Sequence, residues 1–253
     1  MTLLRAGAIL AWNTVQESLR SRYYLLCLVF GAALIYVSLL LGLLAADQEV
    51  RVLLDFGLAL IELLGLAVAV YGAATTILRE IETKTIYLIM TRPISRGAYL
   101  LGRFAGLMLS TAAVMAAMAC VHVSLLLLKG WSWSAAYPTA LAGSYLKLLV
   151  AAALTLFLAL FSSSVLAALV LALILWTLGH VLPEIRNLIK LGAHPALTAP
   201  LVVLSYLVPD LQMLNVRDRL AAPGALLMPL GYATLYCGVW LALAAARLRR
   251  KEF

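Results

Sequence analysis

The chain has 253 residues, 65% hydrophobic and 12% charged, with a mean hydropathy of +1.04 and a formal net charge of +8. Soluble domains average about 45–50% apolar and about 25% charged, so this balance excludes an ordinary water-soluble protein and leaves no room for a large soluble domain. The chain is an integral membrane protein, and its positive charge reads first as topology, not as nucleic-acid binding.

Residues 1–22 are expected to form an amphipathic helix lying on the membrane. Leu4, Ala8, Ala11, Val15 and Leu19 share one helical face, and Arg5, Asn13, Gln16 and Arg20 another. The polar interruptions after Trp12 do not suit a cleaved signal sequence, so this segment is read as retained. A span needs roughly 20 apolar residues, and about six such runs occur along the chain. The first is Tyr23 to Ala46, closed by a short acidic loop from Asp47 to Arg51. The second runs from about Leu53 to Leu78 and contains Asp55 and Glu62.

Next comes a charged island, Arg79 to Arg103, with seven of the chain's thirty charged residues. Ile77, Leu78, Ile81, Thr85, Leu88 and Ile89 recur at near-helical spacing, while Glu80 and Lys84 stand at i,i+4 in the favourable order. Pro93 cannot continue that helix, and Ser95 is placed to cap the next. The pattern predicts a short amphipathic helix, a proline corner and a second helix entering the membrane. Two readings stay open for it: a solvated loop, or an element that passes force from a soluble partner to the spans.

Span three covers about Leu101 to Leu128, with Lys129, Trp131 and Trp133 at an interface. Span four covers about Leu141 to Phe161, and Ser162 to Ser164 form a turn. Span five runs from Val165 to Leu182, where Pro183 is expected to stop it. The segment 183–222 contains Pro195, Pro200 and Pro209 around an apolar stretch too short to cross a bilayer. It is expected to be a re-entrant or capping piece, either gating an exit or simply covering the bundle. Span six, about Gly224 to Ala246, ends in the basic tail RLRRKEF.

Six spans place both termini on one side. That side carries twelve of the nineteen Lys and Arg residues when the island is counted with the termini. The positive-inside rule makes it cytoplasmic and makes 183–222 external.

Glu62 is out of place at mid-span. A charge at bilayer depth costs about 2.5–3.5 kcal/mol on insertion scales and marks a functional site by default. It either lines a substrate path, is held protonated, or is a structural partner of Lys147, His122 or His180. Asp55 lies two turns nearer the outer interface. The three histidines and the isolated Cys27, Cys120 and Cys237 show no metal-ligand spacing. Gly102 and Gly106 at the start of span three suit close helix packing.

The stretch ILREIETKTIYLIMTRPISRGAYLLGRFAG resembles the segment between spans two and three in membrane subunits of ABC transporters of the type-2 exporter class. The matching residues are Glu80, Glu82, Lys84, Thr85, Arg92, Pro93, Ile94, Ser95, Arg96, Gly102 and Arg103. The opening AWNTVQESLRSRYYLL resembles the family's amphipathic N-terminal helix, and the six-span plan matches in layout. The resemblance implies an all-α polytopic protein of one transmembrane domain, 1–253, with residues 79–98 as a cytoplasmic coupling segment. It implies an ATPase-coupling role for Glu80, Glu82, Lys84, Thr85, Arg92, Pro93, Ser95 and Arg96. Glu62 departs from the resemblance, which leads one to expect a small or hydroxylated residue there; its charge at bilayer depth, with Asp55, marks a candidate substrate path.

The same resemblance implies cytoplasmic ABC ATPase subunits and a second permease copy, most simply a homodimer, as partners in a plasma or bacterial inner membrane. The chain has no G-x-x-x-x-G-K-[ST] loop. It is expected to be non-catalytic, with ATP and Mg bound by the partner ATPase. The alternative is a proton-coupled secondary transporter using Glu62, although no internal repeat supports that class.

Overall fold

A computed structural model describes residues 3–44, 48–85, 95–162, 164–191, 199–203, 205, 208–216 and 226–250. Seven long helices dominate these residues: α1 (Leu3–Arg20), α2 (Arg22–Leu44), α3 (Glu49–Glu82), α4 (Arg96–Leu128), α5 (Ala136–Ala159), α6 (Val165–Lys190) and α7 (Leu227–Arg250). A 3-10 turn, η1 (Leu211–Leu214), stands between the last two. Six of them, α2 to α7, are long and apolar enough to cross a membrane.

The centre of the bundle is α3 against α5. Ile61, Val68, Ala69 and Ala73 of α3 are completely buried, as are Leu148, Val150, Ala152 and Leu156 of α5. Large apolar side chains point outward from the peripheral helices instead: Leu25, Val29 and Leu40 on α2, Leu166 and Ile174 on α6, Leu235 and Val239 on α7. In water that surface would be a liability; against lipid tails it costs nothing. At 1.5 Å per residue, α3 is about 51 Å long and exceeds the roughly 30 Å hydrocarbon core, so its ends reach the headgroup regions.

Residue type decides where α1 lies. Its buried face carries Ala11 and Thr14, and it packs against the first half of α4. A Cβ on Gly106 would stand 2.4 Å from the Ala11 carbonyl oxygen, and one on Gly102 2.8 Å from that of Gly7. Only glycine lets these backbones approach so closely, and the Gly102–Gly106 pair is thus a helix-packing device. The protein-contact face of α1 is this row of small residues; of the apolar stripe expected on the membrane, Ala11 faces α4 instead. Leu19 is exposed, with Ile9 and Trp12. Those large side chains remain available to a membrane surface because the small ones are spent on α4.

Two further expectations are corrected. Pro183 does not end the fifth span: α6 continues through it to Lys190. Proline costs a helix one hydrogen bond and crowds the carbonyl four residues back, which here belongs to Gly179. Packing compensates, since Leu182 and Ile185 on either side of Pro183 are buried with Val208. The other correction concerns the start of the island. The helix does not run on past Glu82 with Glu80 and Lys84 paired; α3 ends there because Lys84 takes a left-handed φ of 57°. Its last carbonyls are served by Thr83, whose hydroxyl donates to Arg79 O at 2.7 Å, and by the Lys84 N–H, which donates to Ile81 O at 3.2 Å. Arg92, Pro93, His194 and much of 183–222 lie outside the described residues.

The start of α4 and the end of α7 meet. Ser95 caps α4 by accepting the Ala98 N–H at 3.2 Å. Arg96 Nη1 donates to the Leu248 and Arg249 carbonyls at 2.6 and 3.1 Å, filling acceptors that the end of α7 leaves open. The end of α3, α1 and the C-terminal end of α7 therefore gather at one end of the bundle. At the opposite end Lys129 pairs with Glu49 at 2.6 Å, and Trp131 and Trp133 stack around Tyr137.

Candidate functional site

Two acidic clusters hang on the single helix α3. The first is at the island end. Glu80 is buried, its carboxylate accepting from the Tyr99 hydroxyl and from Arg103 Nη2. The same guanidinium donates through Nη1 to Thr14 Oγ1 at 3.0 Å and to Glu17 Oε2 at 3.2 Å. Arg103 thus ties α1, α3 and α4 together with one planar fork, which a lysine ammonium would not reproduce.

Glu80, to which the resemblance gives a coupling role, does not lie on the exposed surface. The structure turns it inward because α3 stays helical to Glu82, which puts position 80 on the face that meets Tyr99. Glu82 and Lys84 are exposed, and Thr85 closes the turn, its hydroxyl 2.9 Å from that of Thr83. A space of about 100 Å³ beside this cluster is bounded by Tyr24, Tyr71, Thr75, Arg79 and Arg103. Arg79 Nη2 donates to the Tyr71 hydroxyl at 2.9 Å.

The second cluster surrounds Glu62, about five turns and about 27 Å back along α3. Lys147 Nζ donates to Glu62 Oε1 at 2.8 Å, and Ser144 Oγ donates to Oε2 at 2.6 Å. His180 Nε2 lies 3.9 Å from Oε1. Serine and lysine sit at i and i+3 on α5, one face of one helix, so both reach the same carboxylate. Of the partners considered for Glu62, Lys147 makes the ion pair and His180 stands next to it. His122 does not take part. Wholly buried, it donates from Nε2 to Leu53 O at 3.2 Å and accepts the Tyr137 hydroxyl proton at Nδ1, 3.0 Å away.

Glu62 and Lys147 line a cavity of about 370 Å³, completed by Ala59, Leu63, Trp176, Thr177, His180 and Asn215. Asn215 arrives from the segment after η1, which packs against α5 and α6: a Cβ on Gly143 would meet Leu214 O at 2.8 Å, and one on Gly179 would meet Pro209 O at 2.7 Å. Asp210 anchors that segment. Only 4% exposed, it accepts from Arg186 Nη1 at 2.5 Å, caps η1 through Met213 N–H at 3.3 Å, and donates its own N–H to the Tyr232 hydroxyl at 2.8 Å. Asp55 is exposed on the Glu62 face of α3 and is not part of the cavity wall.

Sequence pattern does not single out Glu17, Tyr99, Ser144, Trp176, Thr177 or Asn215. A lone acid in an amphipathic helix, or a tyrosine one position off a motif, carries no spacing signal until a partner helix is placed beside it. Among the described residues no group of three or more His, Cys, Asp or Glu could hold a metal ion.

These helices define a multi-pass α-helical membrane protein with polar groups held at bilayer depth on its central helix. A family model described as ABC-2 family transporter protein matches residues 8–253. The chain belongs to that family, and the match takes in most of α1 and all six spans. No curated protein matches the chain.

Proposed function

We propose that this chain is the permease subunit of an ATP-driven exporter, energised by a separate cytoplasmic ABC ATPase. It binds no nucleotide of its own; ATP and Mg are held by the partner, and the chain is non-catalytic. Both termini and the 79–98 segment face the cytoplasm of a plasma or bacterial inner membrane, on the side favoured by the Lys and Arg count. Two copies form the working permease, and the Glu62 cavity, with Asp55 above it, lies on the substrate path.

The observation that carries this reading is the Arg103 fork. It joins α1, α3 and α4 beneath the exposed turn at Glu82 to Thr85, so a push on that turn moves three helices as a unit. Because α3 runs unbroken from Glu80 to Glu62, displacement at the ATPase side reaches the cavity through one rigid helix. Glu82 and Lys84, exposed on that turn, and Arg92 and Pro93 are the candidates for the ATPase groove; Glu80, Thr85, Ser95 and Arg96 shape the region behind it.

The test is co-purification with the candidate ATPase. Glu82→Ala and Arg92→Ala are expected to weaken assembly and permease-dependent ATPase stimulation together. Unchanged assembly and unchanged stimulation in both variants would remove the coupling assignment. Transport that persists after ATP depletion but collapses with the proton gradient would point instead to proton coupling at Glu62.

A further inference from the structure

The geometry points to a binding site for a zwitterionic headgroup, carried by an amphiphile, in the cavity at Glu62 and Lys147. The inference rests on the permease reading only for the fate of the ligand once bound; the site itself stands on geometry.

Glu62 and Lys147 are recessed, with side chains 13% and 6% exposed. The mouth in front of them is apolar and open: Ala59 is exposed and Leu63 is 60% exposed. An amphiphile meets both requirements at once, a polar head at the ion pair and an apolar body on the lip. A cavity of about 370 Å³ is near the lower end of the range for small-molecule sites, about 300–1,000 Å³. It therefore suits a headgroup rather than a whole lipid.

The charge pattern selects the head. A bare anion in this space would face Glu62, and a bare cation would face Lys147. In a medium of low dielectric either contact is unfavourable. A head bearing both charges places one against each. Lys147 is not exhausted by the pair, since an ammonium has three N–H donors. His180 Nδ1 lies 3.0 Å from the Trp176 carbonyl, to which it donates, so the Nε2 of the neutral ring is an acceptor facing the cavity beside Glu62. The ligand's ammonium thus meets Glu62, His180 and the face of Trp176, while its anionic group meets Lys147 and the Asn215 amide; the Thr177 hydroxyl, which donates to Leu173 O at 3.0 Å, only borders the mouth.

The experiment is native mass spectrometry of the purified chain alone, without ATPase or ATP, so its outcome is independent of the coupling test. The probes are lysophosphatidylethanolamine, lysophosphatidylglycerol of the same chain, an alkyltrimethylammonium of that chain length, and phosphoethanolamine without a chain. Lysophosphatidylethanolamine is expected to bind at least about tenfold tighter than either singly charged amphiphile, about 1.4 kcal/mol. Glu62→Gln and Lys147→Gln should each erase that preference. Thr177→Trp, which fills the mouth without touching the ion pair, should abolish binding while leaving the melting temperature unchanged, and so separates loss of the site from loss of fold. If chainless phosphoethanolamine binds equally well, the apolar lip adds nothing and the amphiphile part of the assignment is overturned. Equal binding of the anionic or cationic amphiphile, or wild-type binding in folded Thr177→Trp, would overturn the assignment.

Discussion

The two carboxylates of α3 sit in opposite kinds of site. Glu80 is saturated by Tyr99 and Arg103, and the space beside it is about 100 Å³. Glu62 is also paired, yet its cavity, at about 370 Å³, is far larger and opens through an apolar mouth. Both are buried acid–base pairs, but the Glu62 pair has far more room for a third party. A buried ion pair is therefore not by itself a functional sign; the space next to it is.

The comparison predicts the largest stability loss at the Glu80 cluster. Arg103→Ala leaves Glu80 buried without its cation and should cost about 3–5 kcal/mol, read as a drop in melting temperature of the reconstituted protein. Replacing both partners, Glu80→Leu with Arg103→Leu, should recover much of that loss, because no lone charge is left behind. If Glu62→Gln proves more destabilising than Arg103→Ala, the contrast between a structural and a ligand-facing pair is broken.

A second, smaller effect tests whether α1 belongs to the Glu80 unit. Gly106→Val puts side-chain carbon into the Ala11 carbonyl and should cost about 1–3 kcal/mol, the scale of overpacking. Limited proteolysis should then cut α1 sooner while the spans survive. Unaltered protection of α1 would mean that its seat on α4 is not what holds it.

Comparable in size is the loss expected at the Asp210 end of the bundle. Asp210→Ala removes the acceptor for Arg186 and the cap of η1, at about 1–3 kcal/mol for unmet buried hydrogen bonds. Because Asn215 comes directly after η1, hydrogen exchange should rise across 208–216 and lysophosphatidylethanolamine binding should weaken, with the Glu80 cluster unaffected. An equal rise around Arg103 would show the two ends to be one cooperative unit.

The smallest effect is expected at Lys84, whose left-handed backbone costs a side-chain-bearing residue about 1–2 kcal/mol. Lys84→Gly relieves that strain and should stabilise by up to about 1 kcal/mol in the isolated permease. If it nonetheless lowers ATPase stimulation, the charge of Lys84 acts on the partner and not on the fold.

Class and layout are legible from the chain alone. Hydropathy over about twenty residues reports a span regardless of its neighbours, because lipid demands an internally bonded apolar helix. Ser95 as a cap and Gly102–Gly106 as a packing seam are readable for the same reason: both are local chemistry. Glu62 is conspicuous because a charge in an apolar run is costly wherever it sits, but whether Lys147, His122 or His180 answers it depends on which helices meet.

Tertiary structure alone decided three matters. It placed Glu80 inward, since one more turn of α3 moves that residue from solvent to Tyr99. It let α6 pass Pro183, because packing of Leu182 and Ile185 offsets a single lost backbone bond. It also left a large cavity beside one ion pair and only a small space beside the other. Span and cap obey short-range rules, whereas a cavity is a property of gaps between helices, and no residue's sequence neighbours record how much room is left there.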